Sequence, residues 1–402
     1  MRDIEELVRT TLSDPRRELP GGSAQLAAYR ERAAAVRRRR TVVSGAAVAA
    51  TVAAIATGAV AVRQAPAPPS AAPGAPTDSQ SVATATVDPA PRLISEVVPD
   101  VPNAVDAVLS QTARDCCYAL AYVLDMAGKL HSVELGMPGA RPALGRATPT
   151  EGWTPIKAVA AGLTVQDYGP TAEDIQAWSW APADDGSTFL RQYDLGTLKV
   201  SRTVHVAAHV FDAVAVDGAL WLAADTGLYR LPRGAKAPVA LASRVTTFSL
   251  AVRRGDSATD VYAGEDPNVV RYDARSGKEL ARIDVRLGKT SLAIVDNALW
   301  VAGYAEFGAV AHTIVRLDPG SLAVQGGSPV ENRIGPGAQI YPGSGIVWVD
   351  NYPTSSCIDA ATGRELLTVA GRPPADSSGD VGVATEGGFF SKLTLPAACL
   401  RP

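Results

Sequence analysis

Histidine and cysteine are scarce in this chain, with four residues of each type among 402. None of them lies within residues 1–115, so that part has no side chains for a zinc site built from Cys and His. The cysteines contain no Cys-x-x-Cys spacing, which excludes the usual thiol redox motif. A Gly-x-Ser-x-Gly nucleophile elbow and a glycine-rich phosphate loop are also absent. We therefore predict no catalytic residues, no cofactor and no metal site.

Six aromatic residues recur in the C-terminal part of the chain at intervals of about 40 residues. Each lies in or beside a short apolar run, such as Ala219–Leu222. A repeat of this length made of short strands is typical of β-propeller blades. We expect these side chains to fill the space between neighbouring blades. They are Trp180, Trp221, Tyr262, Trp300, Trp348 and Phe389.

A second marker recurs with the same period. An apolar strand ends in Asp, a turn containing Gly follows, and a new strand begins. The Asp side chain accepts a backbone hydrogen bond, and the Gly supplies a positive φ. Counting the turns predicts an all-β fold over residues 93–402, a seven-bladed β-propeller of four-stranded antiparallel blades. The turns begin at Asp125, Asp194, Asp273, Asp318 and Asp359, and two more, at Pro232–Gly234 and Leu393–Thr394, lack the Asp.

Two of these segments resemble bacterial propeller repeats of the pyrroloquinoline-quinone-like and YVTN type. They are Arg271–Leu280 (RYDARSGKEL) and Cys357–Leu366 (CIDAATGREL). In those repeats a strand ends in Leu-Asp, Thr-Gly-Lys follows, and a final strand begins. The resemblance implies the fold but no particular activity, because such repeats serve many functions. A quinone cofactor is not expected, since no set of cofactor-binding residues stands out.

Thr41–Val62 is a run without any charged residue. At 1.5 Å per residue it is long enough to cross a hydrocarbon core of about 30 Å. Four arginines, residues 37–40, stand directly before it, so the positive-inside rule places residues 1–40 in the cytoplasm and the propeller outside. The alternative is a cleaved signal peptide with Ala59–Ala61 as its cleavage site. The long charged region and the long apolar run favour an uncleaved signal anchor, a single-pass transmembrane helix.

Residues 63–92 contain seven Pro and eight Ala, and this composition predicts a disordered spacer. Charge divides along the chain: residues 1–40 carry a net charge of +4 and the remainder −7. Membrane topology and anionic lipids explain the basic tail, and no nucleic-acid-binding module is recognisable in it.

The tail contains short amphipathic stretches, such as Arg2–Leu12, whose apolar stripe needs a partner or a membrane. We therefore expect a cytoplasmic protein partner for the tail. Tails of this kind, ending in an arginine run before an Ala-rich span, resemble those of actinobacterial membrane proteins, some of them anti-sigma-like. The zinc-binding His and Cys of the common anti-sigma module are absent here.

All four cysteines lie in the part expected outside the membrane, which fits structural disulfides in an oxidising compartment. A bridge between the adjacent Cys116 and Cys117 would be strained. Since the first and last blades of a closed ring are neighbours, we predict that Cys399 pairs with Cys116 or Cys117. Cys357 would then take the remaining partner.

The histidines do not form a metal site in this interpretation. His205 and His209 would share an ion only on a helix, whereas Val204–Val216 is predicted to be one strand, in which residues four apart are about 13 Å apart. His131 and His312 have no such neighbour.

Acidic residues near the aromatic strands carry the alternative of an enzyme. Seven-bladed propellers include lactonases and streptogramin-type lyases, whose sites collect His, Glu and Asp from several inner strands. Exposed loop acids are the simpler explanation. The candidates are Asp184, Asp185, Glu265, Asp266, Asp350 and Glu386.

These observations favour a membrane-anchored extracytoplasmic propeller that binds or senses an envelope protein, a peptide or a small ligand. The alternatives are an anchored or secreted propeller hydrolase or lyase, and a structural envelope protein.

Overall fold

The computed structural model describes most of the region predicted to be the propeller. The predicted tail (1–40), the predicted span (41–62) and the spacer except Arg92 lie outside the described residues, as do Cys116 and Cys117. Within the described part, no helix is long and apolar enough to cross a membrane. The described ranges are 92–110, 119–136, 141–149, 161–166, 175–255, 258–304, 312–325, 330–332, 339–351, 354–378, 381–386 and 388–400.

The strands form seven sheets of four antiparallel strands each, which confirms the predicted seven-bladed propeller. In the first six sheets the four strands follow one another in sequence and in space. In chain order, the strands that close and begin the ring are β1 (Ile94–Pro102), then blade 1 with β2 (Ala104–Leu109), β3 (Ala119–Asp125), β4 (Leu130–Gly136) and β5 (Ala143–Ala147), and blade 2 with β6 (Gly162–Gln166), β7 (Gln176–Pro182), β8 (Thr188–Tyr193) and β9 (Val200–Val206).

Blades 3 to 5 follow the same four-stranded plan. Blade 3 has β10 (Val210–Val216), β11 (Ala219–Ala224), β12 (Gly227–Leu231) and β13 (Val239–Ser243); blade 4 has β14 (Thr247–Arg254), β15 (Thr259–Glu265), β16 (Asn268–Asp273) and β17 (Glu279–Asp284); blade 5 has β18 (Gly288–Val295), β19 (Ala298–Tyr304), β20 (His312–Leu317) and β21 (Val330–Asn332).

The two ends of the domain meet in one sheet. Blade 7 takes its outermost strand from β1, which pairs with β28 through contacts such as Ile94 with Thr394, so the N-terminal strand closes the ring. A short 3-10 turn, Ala397–Cys399, follows the last strand. Blade 6 has β22 (Ile340–Pro342), β23 (Ile346–Asn351), β24 (Thr354–Asp359) and β25 (Glu365–Ala370); blade 7 has β26 (Asp376–Ser378), β27 (Val381–Glu386) and β28 (Phe389–Thr394).

The aromatic repeat marks the second strand of most blades, and its side chains pack between blades as expected. Trp221 is fully buried and contacts Tyr272 of the next blade, with ring centroids 5.7 Å apart. Trp300 likewise packs among Val347 and Ile358 of blade 6. Burying such rings contributes to the hydrophobic stabilisation of the blade junctions.

Two members of the aromatic series are misplaced. Phe389 begins the third strand of its blade and is 57% exposed, whereas the buried ring beside it is Phe390. In blade 2 the side chain equivalent to Trp221 is Trp178, the third residue of its strand, and Trp180 lies two residues further along the same face. A repeat of about 40 residues could not separate the members of either pair, because they are only one or two residues apart.

The Asp turns connect the third and fourth strands of four blades. In each, the Asp side chain accepts two hydrogen bonds, whereas we predicted one from the backbone. Asp273 Oδ1 accepts hydrogen bonds from both the backbone N–H and the hydroxyl of Ser276. The turn at Asp125 is out of phase, because it joins the second and third strands. The same double contact is made by Asp194 with Thr197, Asp318 with Ser321, and Asp359 with Thr362.

The expectation that Gly supplies the positive φ in these turns is only half right. Gly277 and Gly363 have φ values of 74° and 71°. In blades 2 and 5 the equivalent residues are Leu198 and Leu322, with φ values of 55° and 60°. Both leucines are buried, so apolar packing offsets the cost of the left-handed backbone.

A basic residue on the third strand often ties one blade to the turn of the next. Arg230 donates to the carbonyl of Arg275 at 2.7 Å, and Arg316 donates to that of Ala361 at 2.8 Å. These arginines lie directly across from the second-strand aromatics, as Arg316 does from Trp300. Each therefore links the interblade core to the solvent-facing turn.

The disulfide prediction is wrong in its partner. Cys357 is bonded to Cys399, with the two Cα atoms 6.0 Å apart. Cys357 pairs with Trp348 on the neighbouring strand, just as Arg316 pairs with Trp300 in blade 5. Cys357 therefore occupies the position that an arginine has in that blade. The disulfide thus joins blade 6 to the end of blade 7 where other blades use an arginine and a turn carbonyl. We expected a cysteine bridge to close the ring between the first and last blades. The N-terminal strand β1 closes the ring instead, by pairing with the last strand of blade 7.

Candidate functional site

The innermost strands of the seven blades surround a central channel, and a polar contact joins each neighbouring pair. At three junctions the acceptor is a carboxylate: Asp106 Oδ2 accepts from the backbone N–H of Leu163 at 2.7 Å. The other carboxylate contacts are Leu250 N–H to Asp212 at 2.8 Å and Leu109 N–H to Asp376 at 2.9 Å; the hydroxyl contacts are Ala215 N–H to Thr164, Ser249 to the Thr290 carbonyl, Ile340 N–H to Ser291, and Ser377 to the Pro342 carbonyl.

Register irregularities occur where these side chains turn toward the next blade. The pairing of β2 with β3 shifts between Ala104 and Asp106, and that of β10 with β11 shifts between Val210 and Asp212. A β-bulge redirects a side chain along the sheet edge, which here aims the carboxylate at the adjacent strand. The ring of contacts is therefore built into the start of the innermost strands.

Burial changes the acidity of two of these carboxyls. Loss of hydration raises the pKa of Asp106 to about 7, against the opposing effect of hydrogen bonds from Leu163 and Ala107, and the charges of Asp212 and Asp376 raise it further. Burial also raises the pKa of Asp212 to about 6, again opposed by two backbone N–H groups. Both carboxyls therefore lose much of their charge in mildly acidic solution.

The channel opens into a cavity of about 830 Å³ at the end where the innermost strands begin. We call this the mouth cavity. All seven blades contribute to its wall, and its volume lies near the top of the range of about 300–1,000 Å³ for small-molecule pockets. Five aromatic side chains line it: Trp180, Phe211, Phe248, Tyr304 and Tyr341.

Charged and polar groups share this wall with the aromatic rings. Lys289 and Arg372 bring positive charge, and Asp350 joins Asp106 and Asp212 as an acid. Burial, together with the charges of Asp350 and Asp106, raises the pKa of the Tyr341 hydroxyl, while Arg372 opposes that change. The mouth cavity therefore combines an apolar aromatic surface with a few convergent polar groups, the usual composition of a binding site.

The acids predicted as enzyme candidates do not assemble in the described structure. Of them, Asp350 lines the mouth cavity. Glu265 is buried elsewhere and accepts from the Tyr272 hydroxyl at 2.6 Å and from Arg282 at 3.0 Å. Asp184 and Asp185 lie in the exposed β7–β8 hairpin, Asp266 in the β15–β16 hairpin, and the side chain of Glu386 lies outside the described residues.

The described histidines do not share a metal site, but the prediction that Val204–Val216 is one strand was wrong. His205 ends up on β9, whereas His209 lies in the connection to β10, so Val204–Val216 is two strands and not one. His205 Nε2 lies 2.7 Å from the Ser187 hydroxyl, and His131 Nε2 lies 3.0 Å from Asp125. Among the described residues, no group of three or more His, Cys, Asp or Glu could hold a metal ion.

Sequence reasoning missed the carboxylates at the inner-strand junctions, although a signal was present. The segment Val105–Val108 reads Val-Asp-Ala-Val, and Phe211–Val214 reads Phe-Asp-Ala-Val. An Asp repeated at the start of an apolar strand, one residue before Ala-Val, indicates a shared structural role. Periodicity of aromatic residues alone could not show it.

Known structures support the fold and no more. The β-propeller domain of Cps50 (Swd1) from Myceliophteria thermophila is 12% identical, with 75% of this chain and all of that chain covered and a TM-score of 0.53. PorZ, described as an essential bacterial surface component of the type-IX secretion system of Porphyromonas gingivalis, is 10% identical over 76% of this chain and 40% of that chain, with a TM-score of 0.47. No family model and no curated protein matches the sequence. The resemblance to pyrroloquinoline-quinone-like and YVTN repeats therefore has no support from sequence families.

Proposed function

We propose that this protein is a membrane-anchored binding module whose ligand site is the mouth cavity. The observation that carries the proposal is the cavity itself: about 830 Å³, walled by all seven blades and lined by five aromatic side chains. Phe211 is 40% exposed there, although burial would stabilise the fold. Exposed rings in a concave site are typical of ligand contact.

In this proposal Thr41–Val62 is the anchor, residues 1–40 remain in the cytoplasm and the Pro/Ala-rich residues 63–92 act as the spacer. The ligand is an envelope protein or peptide, and the tail docks a cytoplasmic partner. The uncharged run, the arginines before it and the composition of the spacer support this arrangement. An enzyme is less well supported, since the candidate acids are dispersed.

The test is a peptide selection on the full-length protein in lipid nanodiscs, followed by a variant that fills the mouth. Gln339→Trp places a large ring at an exposed position in the cavity wall. Ala240→Trp is the matched control, because Ala240 is exposed on the outer strand β13 and does not line the cavity. We expect the selected peptides to bind the Gln339→Trp protein at least tenfold more weakly and the control unchanged. Equal binding to both variants, or a selection that yields no peptide, would contradict the proposal.

A further inference from the structure

Two phenylalanines form a stacked pair on the wall of the mouth cavity, where Phe211 is exposed and Phe248 is half-buried. The ring centroids of Phe211 and Phe248 are 5.5 Å apart, with an interplanar angle of 26°. Each residue directly precedes a junction residue, Asp212 or Ser249, so the two occupy equivalent places in blades 3 and 4. The fold does not require an aromatic residue there, because blade 1 has Val105 before Asp106. The pair is thus a ready surface for another ring.

A lysine stands on the next innermost strand. Lys289 lies near the start of β18 in blade 5, is exposed, and lines the same cavity. Its φ is +48°, a conformation that side chains other than Gly, Asn and Asp rarely adopt. It forms no ion pair with any residue in the described part of the chain. A left-handed backbone that presents a lysine without an ion pair in a cavity suits an anionic group of a ligand.

The cavity wall also carries hydroxyl and amide side chains from blades 5 and 6. Tyr304, Tyr341 and Gln339 line it together with Arg372. The Tyr341 hydroxyl donates to the Gln339 side chain. Hydroxyl and amide groups of this kind suit the N–H and C=O groups of a peptide backbone.

From this arrangement we propose that the mouth cavity binds the C-terminal end of a peptide whose last residue is aromatic. The terminal ring stacks against Phe211 and Phe248, and the α-carboxylate pairs with Lys289. The cavity volume, near the top of the small-ligand range, leaves room for the residues before the ring and favours a peptide over a free aromatic acid. This inference rests on the proposed binding function and adds the ligand class.

The probes are small peptides measured by calorimetry on the full-length protein in nanodiscs, with empty nanodiscs as the blank. N-acetyl-Ala-Ala-Phe carries both groups, its C-terminal amide lacks the charge, and N-acetyl-Ala-Ala-Ala lacks the ring. We expect the acid to bind about tenfold more tightly than the amide, as a charge-assisted contact gives. The peptide without the ring should bind no more tightly than the amide. 3-Phenylpropionate, which carries the ring and carboxylate without the peptide, should bind more weakly than N-acetyl-Ala-Ala-Phe.

Variants assign the two contacts. Lys289→Gln should remove the difference between acid and amide, while Phe211→Ala and Phe248→Ala should weaken both about tenfold. Phe189→Ala is the matched control, because Phe189 is 37% exposed and packs against His205 but does not line the cavity. It should leave all affinities unchanged.

Three results would overturn the inference: equal binding of acid and amide to the unmodified protein, equal losses from Phe211→Ala and Phe189→Ala, or 3-phenylpropionate binding as tightly as the peptide. Suppose instead that selected peptides lose affinity for Gln339→Trp but do not end in an aromatic residue. The ligand class would then be wrong while the binding function stood.

Discussion

The three carboxylates among the inner-strand contacts make the stability of the propeller depend on pH in a specific way. Replacing Asp106 by Ala removes the acceptor for two backbone N–H groups, those of Ala107 and Leu163. Each unsatisfied buried N–H costs about 1–3 kcal/mol, so the loss at low pH is about 4 kcal/mol. The contact also joins blade 1 to blade 2, which makes unfolding a direct measure of the junction.

The loss should shrink as pH rises. The pKa of Asp106 is raised from 3.8 to about 7 in the folded protein, chiefly by burial. Between these values the folded state holds a proton that the unfolded state has released, so this group's contribution to stability falls with rising pH. The slope is at most about 1.4 kcal/mol per pH unit. From pH 5 to pH 8 we therefore expect the difference between parent and variant to fall by about 2–3 kcal/mol.

Urea unfolding followed by tryptophan fluorescence, at intervals from pH 5 to pH 8, measures this difference. Asp212 has the same geometry and remains in both proteins, so the difference reports the titration of Asp106 together with its charge interaction with Asp212. Asp194→Ala is the control, because Asp194 is an exposed turn residue whose hydrogen bonds with Thr197 lower its pKa. Its effect should be constant over this range. A cost for Asp106→Ala that stays constant or grows with pH would refute the reasoning.

Three further predictions concern the blade junctions and the anchor. Replacing Cys357 and Cys399 by Ser opens a loop whose ends are 42 residues apart. The chain-entropy model predicts that the free energy of unfolding falls by about 4 kcal/mol. Urea denaturation measures this loss, and an unchanged denaturation midpoint would contradict it. Arg316→Ala removes a bond to the Ala361 carbonyl and a cation–π contact with Trp300, costing about 1–2 kcal/mol, whereas Arg364→Ala, in the exposed turn, should change stability by less than about 0.5 kcal/mol. If Thr41–Val62 is an anchor, membrane fractions should contain the protein with its N-terminal peptide intact; a mature N-terminus near Val62 in the medium would show a cleaved signal peptide.

The architecture could be predicted because its markers are local. An Asp followed by Ser or Thr three residues on forms its turn within a few residues, so the sequence alone shows where most third strands end. The choice between Trp178 and Trp180 could not be made this way. Both are buried, both lie on the same face of the strand, and only the contact of Trp180 with Gly162 distinguishes them.

The mouth cavity was less accessible to sequence reasoning. Phe211, Phe248 and Lys289 are far apart in the chain and become neighbours only when three innermost strands align around the channel. The disulfide partner of Cys399 was missed for a similar reason. Cys399 lies beside the core of blade 6, and this placement depends on β1 being the outermost strand of blade 7.

The composite seventh blade also sets an order for folding. Six blades are made from consecutive strands and can form as the chain emerges, but the seventh needs β1 and β28, which lie at opposite ends of the domain. Until residue Thr394 is available, β1 has no partner in its own sheet, and the ring stays open. The Cys357–Cys399 bond then fastens the last blade to the sixth, while hydrogen bonds and the Lys392 contact to Leu135 hold it to the first. When the ring opens, it should part first between β1 and β28, because β1 continues directly into β2 of blade 1 and the disulfide holds the end of blade 7 to blade 6.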